Sequence, residues 1–182
     1  MILSPTLLAR LLGLRGEELD TSGRRLTLGE VYVLRGVGHL GRAERRLPDY
    51  QPVEPDEDGV YRLAPGAYLV RYSEVVEVPP GFVALAYPRS TLLRMGATLY
   101  TAVWDPGYRG RGVTLLVVHN PDGFVVEKGA HIAQLLYFPV IGVSGIYEGV
   151  YQGEGLGGDG GAAEGGGGSG GPRGGYGARH RP

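Results

Sequence analysis

Two short clusters in this chain have the residue types that chemistry needs: Arg89-Ser90-Thr91 and Asp105-Pro106-Gly107-Tyr108. Arg89 brings a planar fork of donors, and Ser90 and Thr91 bring short hydroxyls, a combination that suits phosphate oxygens. Asp105 brings a carboxylate able to take a proton from water. Each cluster stands where an apolar run breaks, and function concentrates in loops at such breaks. An anion-holding loop near a lone carboxylate is the equipment for hydrolysing a phosphate compound. The same residues also read as ordinary turns, because Asp-Pro-Gly is first of all a turn signature. On local chemistry alone the turns are favoured.

The chain as a whole narrows the classes. Its 182 residues fit one domain plus a tail. The net charge is −1 and no long run has one sign, which argues against a broad nucleic-acid or membrane surface. There are no cysteines, which excludes disulfides and Cys-ligated zinc. Ile2 to Leu14 is too short and too interrupted for a membrane span, and no basic leader with an apolar core and cleavage site precedes the body. A cytoplasmic protein is the expectation.

The elements that must position the two clusters are mostly strands. Ser4 and Pro5 form a helix start, with Leu7, Leu8, Leu11 and Leu12 on one apolar face and Gly13 and Gly16 ending it. Leu26 to Leu34 alternates around Gly29 like a half-buried strand. Gly36 to Asp58 reads as an irregular, solvated loop holding Arg42, Arg45 and Arg46, with His39 lacking any neighbour at ligand spacing. From Val60 onward, runs rich in β-branched and aromatic residues follow one another: Val60–Leu63, Ala67–Tyr72, Val75–Val78, Phe82–Tyr87, Thr98–Trp104, Val113–Val118, Phe124–Val126 and His131–Phe138. Turn signals such as Ala-Pro-Gly, Pro-Pro-Gly and Pro-Asp-Gly separate them, and Leu92 to Met95 reads as a brief helical turn. The pattern predicts an all-β sandwich, jelly roll or barrel.

Composition shifts sharply after residue 152, where half of residues 153–182 are glycine. Such a segment cannot bury enough apolar surface to offset its ordering entropy, so a flexible arm over 153–182 is expected beside a domain over 1–152. Two readings of the arm stand. It is a plain tail, or it carries Tyr176 to stack on a base and Arg173 to meet a phosphate.

Taken together, three motifs resemble in order and spacing those of the dUTPase and dCTP deaminase superfamily. They are Pro88-Arg89-Ser90-Thr91, then Asp105-Pro106-Gly107-Tyr108-Arg109-Gly110, then Lys128-Gly129-Ala130-His131-Ile132-Ala133-Gln134-Leu135. The opening Met1-Ile2-Leu3-Ser4 and the late Tyr147-Glu148-Gly149-Val150-Tyr151-Gln152 are also similar to that family, particularly to its deaminase-like and archaeal branch. The resemblance implies a distorted jelly-roll β-barrel, a homotrimer with sites between subunits, dUTP as substrate and magnesium as cofactor. It implies that Asp105 orients and deprotonates the water attacking the α-phosphorus. Tyr108 then packs under the deoxyribose, and the strand residues Leu99, Tyr100, Thr101, Ala102 and Val103 present backbone groups to the pyrimidine. Arg89, Ser90, Thr91 and Arg94 hold phosphate oxygens, and Gln134 holds a phosphate or the catalytic water. The glycine-rich arm of the family, which covers the nucleotide with an aromatic and an arginine, is matched by Tyr176 and Arg173.

Two departures bear on the activity. Deaminases of the family carry a glutamate in a Thr-Leu-Glu context as proton shuttle, whereas Val113 to Val118 offers leucine or valine wherever it could align. An aliphatic side chain cannot move a proton. The expectation is therefore dUTP diphosphatase, with a dCTP deaminase or bifunctional enzyme as the alternative, and His119 or Glu127 as substitutes for the shuttle. Where the family has an early aspartate linked to the water shell of magnesium, this chain reads Gly23-Arg24-Arg25-Leu26, so the aspartate is either replaced by Arg25 or displaced to Asp20. Either Asp20 or Glu30 serves the metal through water, or the substrate phosphates alone hold it.

Overall fold

The computed structural model describes residues 1–142 and 145–157. Helix α1 (Pro5–Leu12) opens the chain, capped by the Ser4 hydroxyl, which accepts from the Leu7 amide at 3.4 Å. Leu8 is buried, while Leu7 and Leu11 stay exposed, so only part of the apolar face meets the body. Strands β1 (Leu19–Asp20), β2 (Gly23–Arg35), β3 (His39–Leu40), β4 (Arg45–Arg46), β5 (Asp49–Val53), β6 (Val60–Leu63), β7 (Gly66–Tyr72), β8 (Val76–Glu77) and β9 (Phe82–Pro88) follow. Helix α2 (Ser90–Arg94) then leads to β10 (Ala97–Tyr100), β11 (Val103–Trp104), β12 (Arg109–Gly110), β13 (Val113–Val118), β14 (Phe124–Glu127) and β15 (His131–Pro139).

Nine strands make one curled antiparallel sheet in the order β10-β13-β7-β2-β15-β9-β11, with β1 and β5 also paired to β2. The pairs β12–β8, β14–β6 and β3–β4 form separate ribbons. The architecture is the all-β, distorted jelly-roll barrel expected from the sequence. Tyr72, Tyr137, Leu26, Leu28, Val70 and Leu135 are among the side chains fully removed from solvent in its core.

The barrel turns its corner within β2. The first half of this strand pairs with β15 through Arg24–Thr27, and the second half pairs with β7 and β5 through Leu28–Arg35. The register shifts between Leu28 and Glu30, a bulge centred on Gly29. Leu26 and Leu28 face inward before it and Val31 after it, so the inward set changes from even to odd numbers. A bulge bends a strand and re-aims its side chains, which lets one strand serve two sheets. A Cβ at Gly29 would lie 2.9 Å from the Arg71 carbonyl oxygen and 2.8 Å from Arg111 Nη2, so the corner is built for glycine.

Two stretches differ from expectation. Residues 36–58 contain the β3–β4 hairpin and the strand β5. The Tyr32↔Pro52 pairing puts a proline in β5, and proline is tolerated on an edge strand but hides it from propensity reasoning. Thr98 to Trp104, expected as one strand, is broken at Thr101–Ala102: β10 pairs with β13, and β11 with β9.

Gly29→Ala is expected to cost about 1–3 kcal/mol, the usual penalty for forcing volume into a packed site. Gly16→Ala, with nothing within 4 Å of the added carbon, is its control. Equal chemical-denaturation midpoints for the two variants would refute the account of the corner.

Candidate active site

Asp105 opens a tight turn. The Tyr108 amide donates to the Asp105 carbonyl at 3.1 Å, and Gly107 sits at φ +85°, a conformation that L side chains rarely adopt. Pro106 before a left-handed Gly107 is the signature of a type II turn. The turn is held from both sides. The Gly107 amide donates to the Val78 carbonyl at 2.7 Å, and the Val78 amide donates to the Tyr108 carbonyl at 2.9 Å.

From the other side comes residues 147–154, which lie over the turn as a strap. The Tyr147 amide donates to the Pro106 carbonyl at 2.7 Å. Gln152 donates through Nε2 to the Gly107 carbonyl at 2.8 Å and accepts the Arg109 amide at 2.9 Å. The Gly153 amide donates to the Arg109 carbonyl at 2.9 Å, and the Arg111 amide to the Glu154 carbonyl at 2.7 Å. The late Tyr147–Gln152 motif thus immobilises the loop that presents Asp105.

Between turn and strap lies a cavity of about 270 Å³. Tyr50, Trp104, Tyr108, Tyr147 and Tyr151 give it aromatic walls, Ala102 lines it from the break between β10 and β11 and Val103 from the start of β11, and Asp105 and Glu154 bring two carboxyl groups. Tyr108 is only 5% exposed and meets the Tyr147 ring edge-on at 5.7 Å. Burial, with Glu154 and Tyr147 nearby, pushes its phenol pKa up to about 12, so it stays neutral. Burial also raises the Glu154 carboxyl above its ordinary value, partly offset by the Arg71 guanidinium. Of the other strand residues expected here, Leu99 turns into the core, Tyr100 is exposed, and the Thr101 hydroxyl donates to the Ala86 carbonyl at 3.0 Å.

The second cluster is cationic. Arg89 precedes α2 in extended conformation, its amide donating to the Ile132 carbonyl at 3.0 Å. Its guanidinium lies 3.6 Å from Asp20 Oδ2 and donates to His131 Nδ1. The other His131 nitrogen, Nε2, faces the Ala133 carbonyl at 2.8 Å, which makes it the protonated one and leaves Nδ1 to accept. Burial first, then the Arg89 charge, lowers the His131 pKa and keeps the ring neutral. Gln134 is half-buried on β15, directly between Arg25 of β2 and Tyr87 of β9, and cross-strand neighbours in register share a face. Ser90, Thr91 and Arg94 are exposed on α2, Arg94 donating to the Ser90 carbonyl at 3.2 Å.

The two clusters do not meet in one chain. Trp104 pairs with Ala84, near the start of β9, so Asp105 lies at that end. Arg89 stands five residues further on, roughly 17 Å at about 3.3 Å per residue.

Asp20 and Glu30, named above as links to magnesium through water, are both engaged with cationic side chains of the chain. Among the described residues no group of three His, Cys, Asp or Glu can hold a metal ion. Asp20 is committed to its own neighbours: the Thr21 amide and the Arg89, Arg25 and His131 side chains keep its carboxyl below the ordinary range against the effect of burial. Glu30 accepts from Arg71 Nη1 at 2.8 Å, from Arg111 Nη1 at 3.0 Å and from the Tyr32 hydroxyl. This donor set does not fit a protein-held magnesium. His119 and Glu127, considered as proton shuttles, do not line the cavity. Glu154 does, and sequence reasoning missed it because it stands in glycine-rich sequence without a motif of its own. Arg173 and Tyr176 lie outside the described residues.

Comparison with known proteins gives a consistent result. Residues 15–140 match the family model described as dCTP deaminase-like. The chain is 47% identical over 139 residues to an Aeropyrum pernix protein named "Probable deoxyuridine 5'-triphosphate nucleotidohydrolase", covering 76% of this chain and 87% of that one. It is 38% identical over 143 residues to the deoxyuridine 5'-triphosphate nucleotidohydrolase of Methanocaldococcus jannaschii, covering 77% and 90%. The crystal structure of 2'-deoxycytidine 5'-triphosphate deaminase from Agrobacterium tumefaciens superposes with a TM-score of 0.56 at 17% identity, over 75% of this chain and 47% of that one, a likeness of fold.

Glu154 gives the site a pH signature. Its folded pKa is raised above the ordinary 4.5. Its contribution to stability is therefore full below about pH 4.5 and is lost as the pH rises through the folded value. Glu154→Gln escapes that loss, so its urea midpoint should gain on the wild type as the pH is raised above about 4.5. A constant difference between the two proteins would show that the carboxyl is solvated.

Proposed function

The chain belongs to the dCTP deaminase-like family that also embraces the dUTP nucleotidohydrolases, and we propose that it is a dUTP diphosphatase, converting dUTP and water to dUMP and pyrophosphate. The observation that carries the mechanism is the turn that holds Asp105 at the edge of an aromatic cavity. Asp105 accepts a proton from water, the water oxygen bonds to the α-phosphorus, and the bond from that phosphorus to the bridging oxygen breaks, so pyrophosphate leaves with the electron pair. Such a displacement needs positioning and charge stabilisation rather than a covalent intermediate. The pyrimidine enters against Ala102 and Val103, where the strand pairing is interrupted, and the deoxyribose lies on Tyr108, whose bulk excludes a 2'-hydroxyl. Ser90, Thr91, Arg89, Arg94 and Gln134 hold the phosphates. Arg173 and Tyr176, assigned on sequence alone, close over the nucleotide.

Asp105 and Ser90 must both reach one phosphorus atom, yet roughly 17 Å of strand separates their neighbourhoods in a single chain. This supports a homotrimer in which one copy contributes Asp105 and another contributes Arg89, Ser90 and Gln134. Tyr87, Leu93, Met95, Tyr100 and Val103 are apolar or aromatic, exposed and close to that boundary, as an interface requires. Asp20 and Glu30 are engaged with cations of the chain, so a magnesium ion would be held chiefly by the substrate phosphates and would supply positive charge against them. Among the described residues no helix is long and apolar enough to cross a membrane, which supports a cytoplasmic enzyme.

The deaminase alternative needs a proton shuttle at the base. Leu116, on the strand where the family places it, is aliphatic and 1% exposed, which supports pyrophosphate release as the reaction.

Incubation with dUTP, dCTP and UTP, with products resolved by chromatography, should give dUMP and pyrophosphate from dUTP alone; dUTP or dUMP formed from dCTP would sink the diphosphatase-only reading. Asp105→Asn is expected to lower turnover by about 10²–10⁴-fold, the usual worth of a positioned base, with nucleotide binding retained. Persistent turnover would remove Asp105 from the mechanism. Co-expression of Asp105→Asn with Gln134→Ala should restore about a quarter of wild-type activity, the share of shared sites that receive both intact residues in a randomly mixed symmetric assembly. No recovery would mean that each chain builds its own site.

A further inference from the structure

Arg25 is the side chain whose surroundings call for a ligand. It lies on the exposed face of the sheet in one cross-strand row with Gln134 and Tyr87. Among the described residues it forms no ion pair, unlike Arg89, which is shared between Asp20 and His131. Arg25 stands two residues along β2 from Thr27, which pairs with His131, and its charge lowers the pKa of both His131 and Asp20. With His131 neutral, two guanidinium charges face one carboxylate, and the excess is positive. A face that offers Gln134 and an uncommitted guanidinium, with Ser90 and Thr91 next to Arg89, is complementary to a polyanion.

The same geometry argues against a carboxylate-held cation at this point. Asp20 Oδ2 lies 3.6 Å from the Arg89 guanidinium and 4.0 Å from His131 Nδ1, and the Arg25 charge also acts on it, so a magnesium ion bound there would have to displace or repel cationic groups. We propose that Arg25 binds the β- and γ-phosphates of the substrate directly and supplies, from the protein, the positive charge that a protein-held metal would otherwise bring. The proposal rests on the diphosphatase reading for the identity of the substrate. The charge complementarity of Arg25 itself does not depend on it.

The test is calorimetric binding of inorganic pyrophosphate, and of a dUTP analogue with a nitrogen-bridged α,β-linkage, to the full chain with EDTA and with magnesium. Wild-type protein should bind both probes in EDTA, with magnesium changing the affinity by less than about threefold. Arg25→Ala should bind about 10- to 100-fold more weakly in EDTA, the range expected for loss of a hydrogen bond between charged groups. Arg25→Lys should recover part of that loss and keep the dependence on ionic strength, whereas a purely structural role would give no rescue by charge. Arg25→Asp should bind in magnesium and not in EDTA. Wild-type binding that needs magnesium, or an Arg25→Ala variant that binds like wild type, would overturn the proposal. A parallel dUTP turnover assay separates the two readings: pyrophosphate binding through Arg25 without turnover would leave this site standing and remove the diphosphatase.

Discussion

The Glu30 carboxylate couples the corner of the barrel to the loop that carries the chemistry. It follows the Gly29 bulge directly and accepts from Arg71 on β7, from Arg111 just beyond the Asp105 turn, and from the Tyr32 hydroxyl. Burial alone would raise its pKa, but the Tyr32 hydroxyl and the two guanidiniums hold it below the ordinary range. Arg71 also stacks over the Tyr32 ring at 5.4 Å, and Arg111 Nε donates to the Tyr72 carbonyl at 3.0 Å. A half-buried cluster of this kind contributes more to uniqueness than to raw stability, because each charge depends on the others for its solvation. If the corner shifts, Arg111 shifts with it, and so does the anchor of the strap at Glu154.

The protein matches the polarity of a nucleotide by keeping its own apolar and charged surfaces apart. The cavity beside Asp105 is walled by five aromatic residues and holds a carboxyl that keeps its proton unusually well. The face around Arg89 is open and cationic. Strand β9 runs between them, with its Ala84 end at the cavity and Arg89 following its Pro88 end. A base and a triphosphate make opposite demands on their surroundings, one seeking a dry stack and the other fixed positive charge. Within one chain the two surfaces lie at opposite ends of a rigid strand, so a single site that uses both draws them from different copies.

Much of the fold was readable in the sequence because alternation and turn chemistry are local signals. Val113–Val118 and Val60–Leu63 keep the bounds that their apolar runs gave, and Ser4 caps its helix. The corner at Gly29 was hidden, since Leu26 to Leu34 looks like one alternating strand and a change of parity needs a partner strand to become visible. Likewise Thr98 to Trp104 carries strand composition throughout, yet it breaks at Thr101 because its two ends pair with different strands. The motifs singled out Asp105, Tyr108, Arg89 and Gln134 as candidates, but no motif marked Glu154, whose place beside the cavity depends on the strap folding back. The lack of a partner for Arg25 could be judged only once its neighbours were known.

The excursion between β2 and β5 has a practical use. Arg35 and Asp49 are paired directly across β2 and β5, and the chain between them leaves the main sheet as the small β3–β4 hairpin, with Val37 and Leu40 exposed. Its entry and exit points are therefore already as close as two ends of a hairpin. A loop with adjacent ends is a natural splice point: the excursion can be exchanged for a short turn or opened to receive a whole foreign domain without altering how β2 and β5 lie. The barrel thus contains a docking port for protein engineering, where a fluorescent reporter or a purification module can be inserted in mid-chain and both termini left as they are.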